Sequence, residues 1–281
     1  MKNKLTLFVA LVVLSASTHA CTFTNFNKGV EGSGNVKTEI RNVSGFTEVR
    51  TTSSVDIKVK QSSTFEVKVE ADDNLLQYIT TEIDGNCLVV SIENGINIRN
   101  SRKMVVYVSM PQLNGAEVKG SGNILGDSKF SGDKIDISIY GSGNISLSYD
   151  GKNGNMKTAG SGNIDINGKI DNVEIIVQGS GNNNATLESS SIEITIKGSG
   201  DVKINGNTSD FKAMVQGSGD IDCFDLNSKT ADVTIKGSGN CNITVSELLN
   251  ASIYGSGDIY YKGNPDKIKS DINGSGKVKN K

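Results

Sequence analysis

Eight amide or carboxylate side chains recur after a Gly-Ser-Gly triplet: Asn123, Asn144, Asn163, Asn182, Asp201, Asp220, Asn240 and Asp258. If successive triplets stack, these side chains form a line with a spacing of about 4.8 Å, the distance between paired strands. Neutral Asn residues in such a line hydrogen-bond along it. Asp201 above Asp220 brings two carboxylates together, and a bridging cation or the nearby Lys197 and Lys236 would offset their repulsion. Asp201 and Asp220 are therefore the candidate metal-ligating residues, with a structural ladder as the simpler role. The calcium-binding nonapeptide roll has a different period and motif.

Other chemistry is sparse. The only histidine is His19 and there is no Trp; downstream of residue 20, a His-based triad or a His-ligated zinc site is excluded. A sugar-cleaving enzyme needs paired carboxylates, or a metal with a base. Asp136, Asp165, Asp222 and Lys203 alternate outward, with Tyr140, Tyr254 and Tyr260 as the few aromatics available to a sugar. No insertion or broken repeat gathers them into a cluster, so no catalytic residue and no cofactor is assigned. Cys223 and Cys241 fall on neighbouring repeats but diagonally, roughly 8 Å apart by strand spacing. A disulfide wants less than about 7 Å between Cα atoms, so they read as two buried thiols.

The elements that hold these residues follow from the triplets. Gly-Ser-Gly begins at Gly120, Gly141, Gly160, Gly179, Gly198, Gly217, Gly237, Gly255 and Gly274, in steps of 18 to 21 residues. A fixed period near 19 marks a solenoid whose coils stack on one another. Two positions before the first Gly stand Val118, Ile139, Thr158, Val177, Ile196, Val215, Ile235, Ile253 and Ile272. Two after the closing Gly stand Ile124, Ile145, Ile164, Asn183, Val202, Ile221, Cys241, Ile259 and Val278. Polar residues alternate with them, so half-buried strands flank each triplet and face a common interior. The expected fold is all-β, a right-handed parallel β-helix with Gly-Ser-Gly turns, the glycines supplying positive φ at the corners. A glycine-rich phosphate loop is excluded, because no helix and no Lys-Ser or Lys-Thr pair follows.

Upstream, alternation at Val55-Ile57-Val59, Phe65-Val67-Val69, Leu88-Val90-Ile92 and Met104-Val106-Val108 predicts further strands, with a helical turn within 73–79. Residues 1–20 read as an export signal: Lys2 and Lys4, an apolar run too short to span a bilayer, then small residues before Cys21. Lipidation of Cys21 is expected, although Thr18 stands where a bacterial lipobox has Leu; each buried acyl CH₂ adds about 0.8 kcal/mol of membrane affinity. The resulting organisation is a signal over 1–20, a lipidated tether over 21–45, an N-terminal β region over 46–115 and the repeats over 116–281. Loss of the signal leaves 27 basic against 31 acidic residues, which gives no reason to expect a nucleic-acid partner. Polar Lys277–Lys281 is expected to close the last coil.

The Gly-Ser-Gly-(Asn/Asp) turns, with Phe46-Thr47-Glu48-Val49 and Ala71-Asp72-Asp73-Asn74-Leu75-Leu76, resemble the putative auto-transporter adhesin head GIN domain family over about residues 42–276. The resemblance implies a β-helix of the broad shape of pectin lyases without their catalytic residues. It also implies an exported, often lipid-anchored protein of Bacteroidetes and their relatives, with a role in cell adhesion. That family defines no functional residues, so none is carried over. The expected function is a non-enzymatic lipoprotein of the outer membrane, on its surface or periplasmic face, or a secreted protein. Its polar faces would meet a glycan or protein ligand; the alternative is an envelope scaffold without one, and a carbohydrate-active enzyme is a distant third. The stretch from Cys21 carries no acidic residue before Glu31, unlike many surface lipoproteins of Bacteroidetes, which keeps a periplasmic orientation as a serious alternative to the surface.

Overall fold

The computed structural model describes residues 29–281. Residues 1–20, read as an export signal with His19 in it, and Cys21, the expected lipidation site, lie outside them. Nine strands come first: β1 (Val30–Glu31), β2 (Val36–Arg41), β3 (Glu48–Thr51), β4 (Asp56–Gln61), β5 (Glu66–Asp72), β6 (Ile79–Asp84), β7 (Cys87–Ile92), β8 (Ile98–Arg99) and β9 (Met104–Met110). A 3-10 turn at Leu76–Tyr78 occupies the expected helical position. The coils then run as β10 (Gly115–Val118), β11 (Ile124–Ile139), β12 (Ile145–Thr158), β13 (Ile164–Val177), β14 (Asn183–Glu188), β15 (Ser191–Ile196), β16 (Val202–Val215), β17 (Ile221–Ile235), β18 (Cys241–Ile253), β19 (Ile259–Lys262), β20 (Lys267–Ile272) and β21 (Val278–Asn280).

Every pairing from β10 to β21 is parallel, and the sequence columns are spatial columns. Ile57, Ile124, Ile145 and Ile164 stack on the outgoing arm of the coils, and Val118 and Ile139 on the returning arm, all 0% exposed. Full burial of each such side chain contributes roughly 1.5–3 kcal/mol, which a lone coil could not obtain. Two polar members of the columns, Thr158 and Asn183, meet inside: the Thr158 hydroxyl donates to Asn183 Oδ1 at 2.6 Å.

The Gly-Ser-Gly corners are built differently from expectation. None of their glycines has positive φ from the third coil or any other. Glycine is required there because a Cβ would point at the coil beneath: at Gly160 it would lie 2.0 Å from the Gly141 carbonyl oxygen, and at Gly162 1.8 Å from that of Gly143. That carbonyl is engaged, since Ser161 N–H donates to Gly141 O at 3.0 Å. Positive φ occurs instead on the far side of the coil, at Gly168 (151°) and Gly206 (120°), where the chain turns back. The extra residues of the longer coils also sit on that side, as register shifts between Leu125 and Lys129 and between Cys223 and Asn227.

The N-terminal part corrects a simple picture of parallel coils. β3 and β4 make a first coil, below β10 and β11. Below that, β9 pairs with β4 in parallel, then β5 with β9 and β2 with β5 antiparallel; on the other arm β7 pairs with β3 in parallel and β6 with β7 antiparallel. Alternating apolar residues specify which side of a strand is buried but not its direction, so sequence alone left this open. Within the stretch read as tether, β1 and β2 are strands of this cap. The isolated Gly32-Ser33-Gly34 is not a coil corner: Ser33 Oγ donates to Asp73 Oδ1 at 2.6 Å. Leu75 and Ile79 are buried under the cap, and Arg41 donates to the Leu76 carbonyl at 2.8 Å. At the other end β21 forms the last rung, yet Ile268 (44%) and Ile272 (43%) of β20 remain exposed, so Lys277–Lys281 closes that end only in part.

Candidate functional site

The Asn/Asp line exists, and its bonding has one direction. Asn144, Asn163, Asn182, Asp201 and Asp220 each donate their backbone N–H to the side-chain Oδ1 one coil below, at 2.7–2.9 Å. Asn240 N–H donates to Asp220 Oδ1 at 2.6 Å, Asp258 N–H to Asn240 at 2.9 Å, and Lys277 N–H to Asp258 at 2.7 Å. The bond common to every rung uses the side chain as an acceptor, which Asn and Asp both supply. Asn123, Asn144, Asn163 and Asn240 also donate Nδ2 to the Oδ1 one coil below at 2.9–3.1 Å, which Asp cannot do. Lys277, in the ninth copy, ends the line as a donor only. The line also starts one coil earlier than the triplets: Asn123 N–H donates to Asp56 Oδ1 at 2.8 Å. Asp56 was missed because its corner reads Ser53-Ser54-Val55. A Cβ strikes the coil beneath, and no Gly-Ser-Gly corner lies beneath this one.

Asp201 and Asp220 are thus brought together as expected, joined by a backbone-to-carboxylate bond. Among the described residues no group of three or more His, Cys, Asp or Glu is arranged to hold a metal ion. Both residues line a groove of 410 Å³ beside the ladder. Its walls are two columns, with each of four successive coils supplying a pair: Asn163 and Asp165, Asn182 and Asn184, Asp201 and Lys203, Asp220 and Asp222. The outer column is braced, since Asn184 Nδ2 donates to Asp165 at 2.9 Å and Lys203 lies 3.6 Å from Asp222. Four carboxylates against one ammonium give the groove a negative balance. It can offer acceptors and a few donors to hydroxyl-rich or cationic ligands, repeated about every 4.8 Å.

The remaining candidates do not join this groove. Asp136 accepts from Asn155 Nδ2 at 2.8 Å and faces a different groove beside Glu174. Tyr140 lies under Lys157 Nζ at 5.4 Å, and Tyr254 OH donates to Asp271 at 3.1 Å. Tyr260 OH donates to Asp258 at 2.7 Å, with Lys279 and Lys281 Nζ 5.2 and 4.4 Å from its ring centroid. Lys279, that hydroxyl and the Lys277 N–H hold the Asp258 carboxyl at about 2. The three tyrosines form no shared platform. Cys223 stands opposite Ile243 and Cys241 opposite Ile221, and both are free and buried, as is Cys87. Burial pushes the Cys87 thiol up to about 11 and raises Cys223 and Cys241 as well, so none is a thiolate nucleophile near neutral pH.

The chain matches the family described as putative auto-transporter adhesin, head GIN domain, over residues 45–187 and 172–265. Among solved structures it is similar to a putative adhesin from Parabacteroides merdae, with 23% identity and a TM-score of 0.71 over 90% of this chain and 99% of that one. A putative adhesin from Parabacteroides distasonis is 24% identical, with a TM-score of 0.71 over 90% and 100% of the two chains. A putative lipid binding protein from the same organism is 25% identical, with a TM-score of 0.68 and the same coverage. No curated protein matches the chain.

Proposed function

The chain belongs to the putative auto-transporter adhesin, head GIN domain family, and from that premise we propose that it is a non-enzymatic, exported binding protein of the cell envelope whose ladder-side groove takes an extended, uncharged glycan. The observation that carries this reading is the groove of 410 Å³ with a polar pair at the same two positions on four successive coils. A polymer with a repeat near the coil spacing meets polar groups at matching positions on each rung, and weak contacts add through multivalency. The negative balance of the groove disfavours an anionic polymer. An acyl chain as ligand, which the lipid-binding description of one neighbour suggests, would need an apolar cavity, whereas the interior columns are filled by side chains such as Ile145 and Ile164. Acyl chains on Cys21 would hold the protein at the outer membrane.

Glycan-array binding compared between the natural chain and an Asn184→Ala/Lys203→Ala/Asp222→Ala variant tests the groove. Loss of the signal in the variant is the expected result. A blank array for protein that proteases reach on intact cells would defeat the adhesin reading and leave an envelope scaffold.

A further inference from the structure

A second polar site lies on the outer surface where the cap meets the first coils, and there the chain direction rather than the repeat brings residues together. β4, β9 and β5 lie side by side, and their register sets Lys58 opposite Tyr107 and Tyr107 opposite Lys68. One step along, Lys60 and Glu66 flank Ser109. Lys58, Lys60, Glu66, Lys68, Tyr107 and Asp127 line a cleft of 170 Å³. That is below the roughly 300 Å³ of pockets for drug-sized ligands, so it suits one ring rather than an oligomer.

The charges in this cleft are gathered on adjacent strands but not joined in ion pairs. Some lysines neutralise a carboxylate on a neighbouring strand, as Lys129 does with Asp150 at 3.1 Å and Lys103 with Glu70 at 2.7 Å. Among the described residues Lys58, Lys60 and Lys68 form no ion pair, although Glu66 and Asp127 line the same cleft. Lys68 Nζ rests instead 5.0 Å from the Tyr107 ring centroid. Like charges gathered on one sheet surface repel, and an anion bound among them relieves that repulsion.

We propose that this cleft binds a single acidic sugar residue, its carboxylate or sulfate held by Lys58, Lys60 and Lys68. The Tyr107 ring supplies the apolar floor between two of the lysines, and Glu66 and Asp127 accept sugar hydroxyls. Those two carboxylates separate this ligand from a bare anion, which they would repel and which has no hydroxyls to offer them. With three ammonium groups against two carboxylates the cleft is only weakly positive, too little for a nucleic acid or an anionic membrane surface. The site stands where the cap meets the first coils, outside the coils that form the ladder-side groove, and does not rest on the reading of that groove.

Titration calorimetry on the chain with galacturonate trimer, glucose 6-sulfate, cellotriose and inorganic phosphate tests the proposal. Binding of the trimer or the sulfated sugar is expected, and the pair distinguishes a carboxylate from a sulfate site. Lys58→Gln/Lys60→Gln should weaken it at least tenfold with an unchanged melting curve, while Lys203→Ala in the other groove leaves it unaltered. Raising salt to about 0.5 M should weaken it as well. Equal binding of cellotriose, equal binding of phosphate, no binding of either acidic sugar, or indifference to the lysine changes would each overturn it.

Discussion

At the scale of single residues, the ladder shows why two chemically different side chains alternate at one position. What each coil demands is an oxygen that accepts the N–H of the coil above, as Asn163 Oδ1 does for Asn182 at 2.9 Å. Asn163→Asp keeps that acceptor but loses the Asn163 Nδ2 donation to Asn144 Oδ1 at 3.1 Å, and should cost about 0.5–1.5 kcal/mol. Asn163→Ala removes both that acceptor and the Nδ2 bond, leaving the exposed Asn182 N–H to water, and should cost about 1–2 kcal/mol in urea unfolding. Asp258 adds a charge to the same role. Its carboxyl is held at about 2 by Lys279, Tyr260 and the Lys277 N–H, against about 3.9 in an unfolded chain. A depressed carboxyl stabilises the fold above the unfolded value and loses that contribution as pH falls through the folded one. Stability should therefore drop between about pH 4 and pH 2, and Asp258→Asn, which retains the acceptor but not the charge, should flatten that drop. Parallel urea midpoints across this window check it; identical slopes for both proteins would remove the ion pair from the account.

At the scale of the coil, two corners share the work unequally. The Gly-Ser-Gly corner is fixed by contact with the coil beneath, and the far side absorbs every change in length. Gly160→Ala puts a methyl 2.0 Å from the Gly141 oxygen, with an expected cost of at least about 2–3 kcal/mol by overpacking against backbone. Ser161→Ala, whose side chain is exposed, should cost under about 0.5 kcal/mol. A Gly-Ser insertion after Ser128, on the side where that coil already carries extra residues, should keep the melting temperature within a few degrees; the same insertion after Ser161 should not. The same contrast explains what was legible in the sequence. Triplets and columns reported stacking directly, so the coils and the ladder from Asn123 onward could be read off. Asp56 could not, because the first corner has no coil beneath that demands glycine. The cap strands were legible as strands, but the antiparallel direction of β2, β5 and β6 leaves no periodic mark. For that reason Lys58, Lys68 and Tyr107, far apart in sequence, gave no sign of sharing a cleft.

At the scale of the whole molecule, the two ends of the stack differ, and the difference has a measurable consequence. The N-terminal end is closed: Leu75 and Ile79 are buried, Arg41 bonds the Leu76 carbonyl, and Lys37, Glu39 and Arg41 stand on the core side of edge strand β2, opposite buried Ala71, Val69 and Val67. Inward charges of this kind discourage further strand pairing at an edge. At the other end β20 pairs only with β18 and β21 only with β19, and Ile268 and Ile272 continue the interior columns without cover. In a linear stack each coil is stabilised by its neighbours, so a coil with one neighbour opens at the lowest free energy. Native-state hydrogen exchange should therefore be fastest over Lys267–Asn280, slow progressively toward β16 and β17, and be slowest from β12 to β14. Gly217→Ala, which places a Cβ 2.0 Å from the Gly198 oxygen, should accelerate exchange in the coils from β17 onward and leave β3, β4 and the cap strands protected. Equal acceleration from the cap to β21 would mean that the stack opens as one unit, and the end-first account would fail.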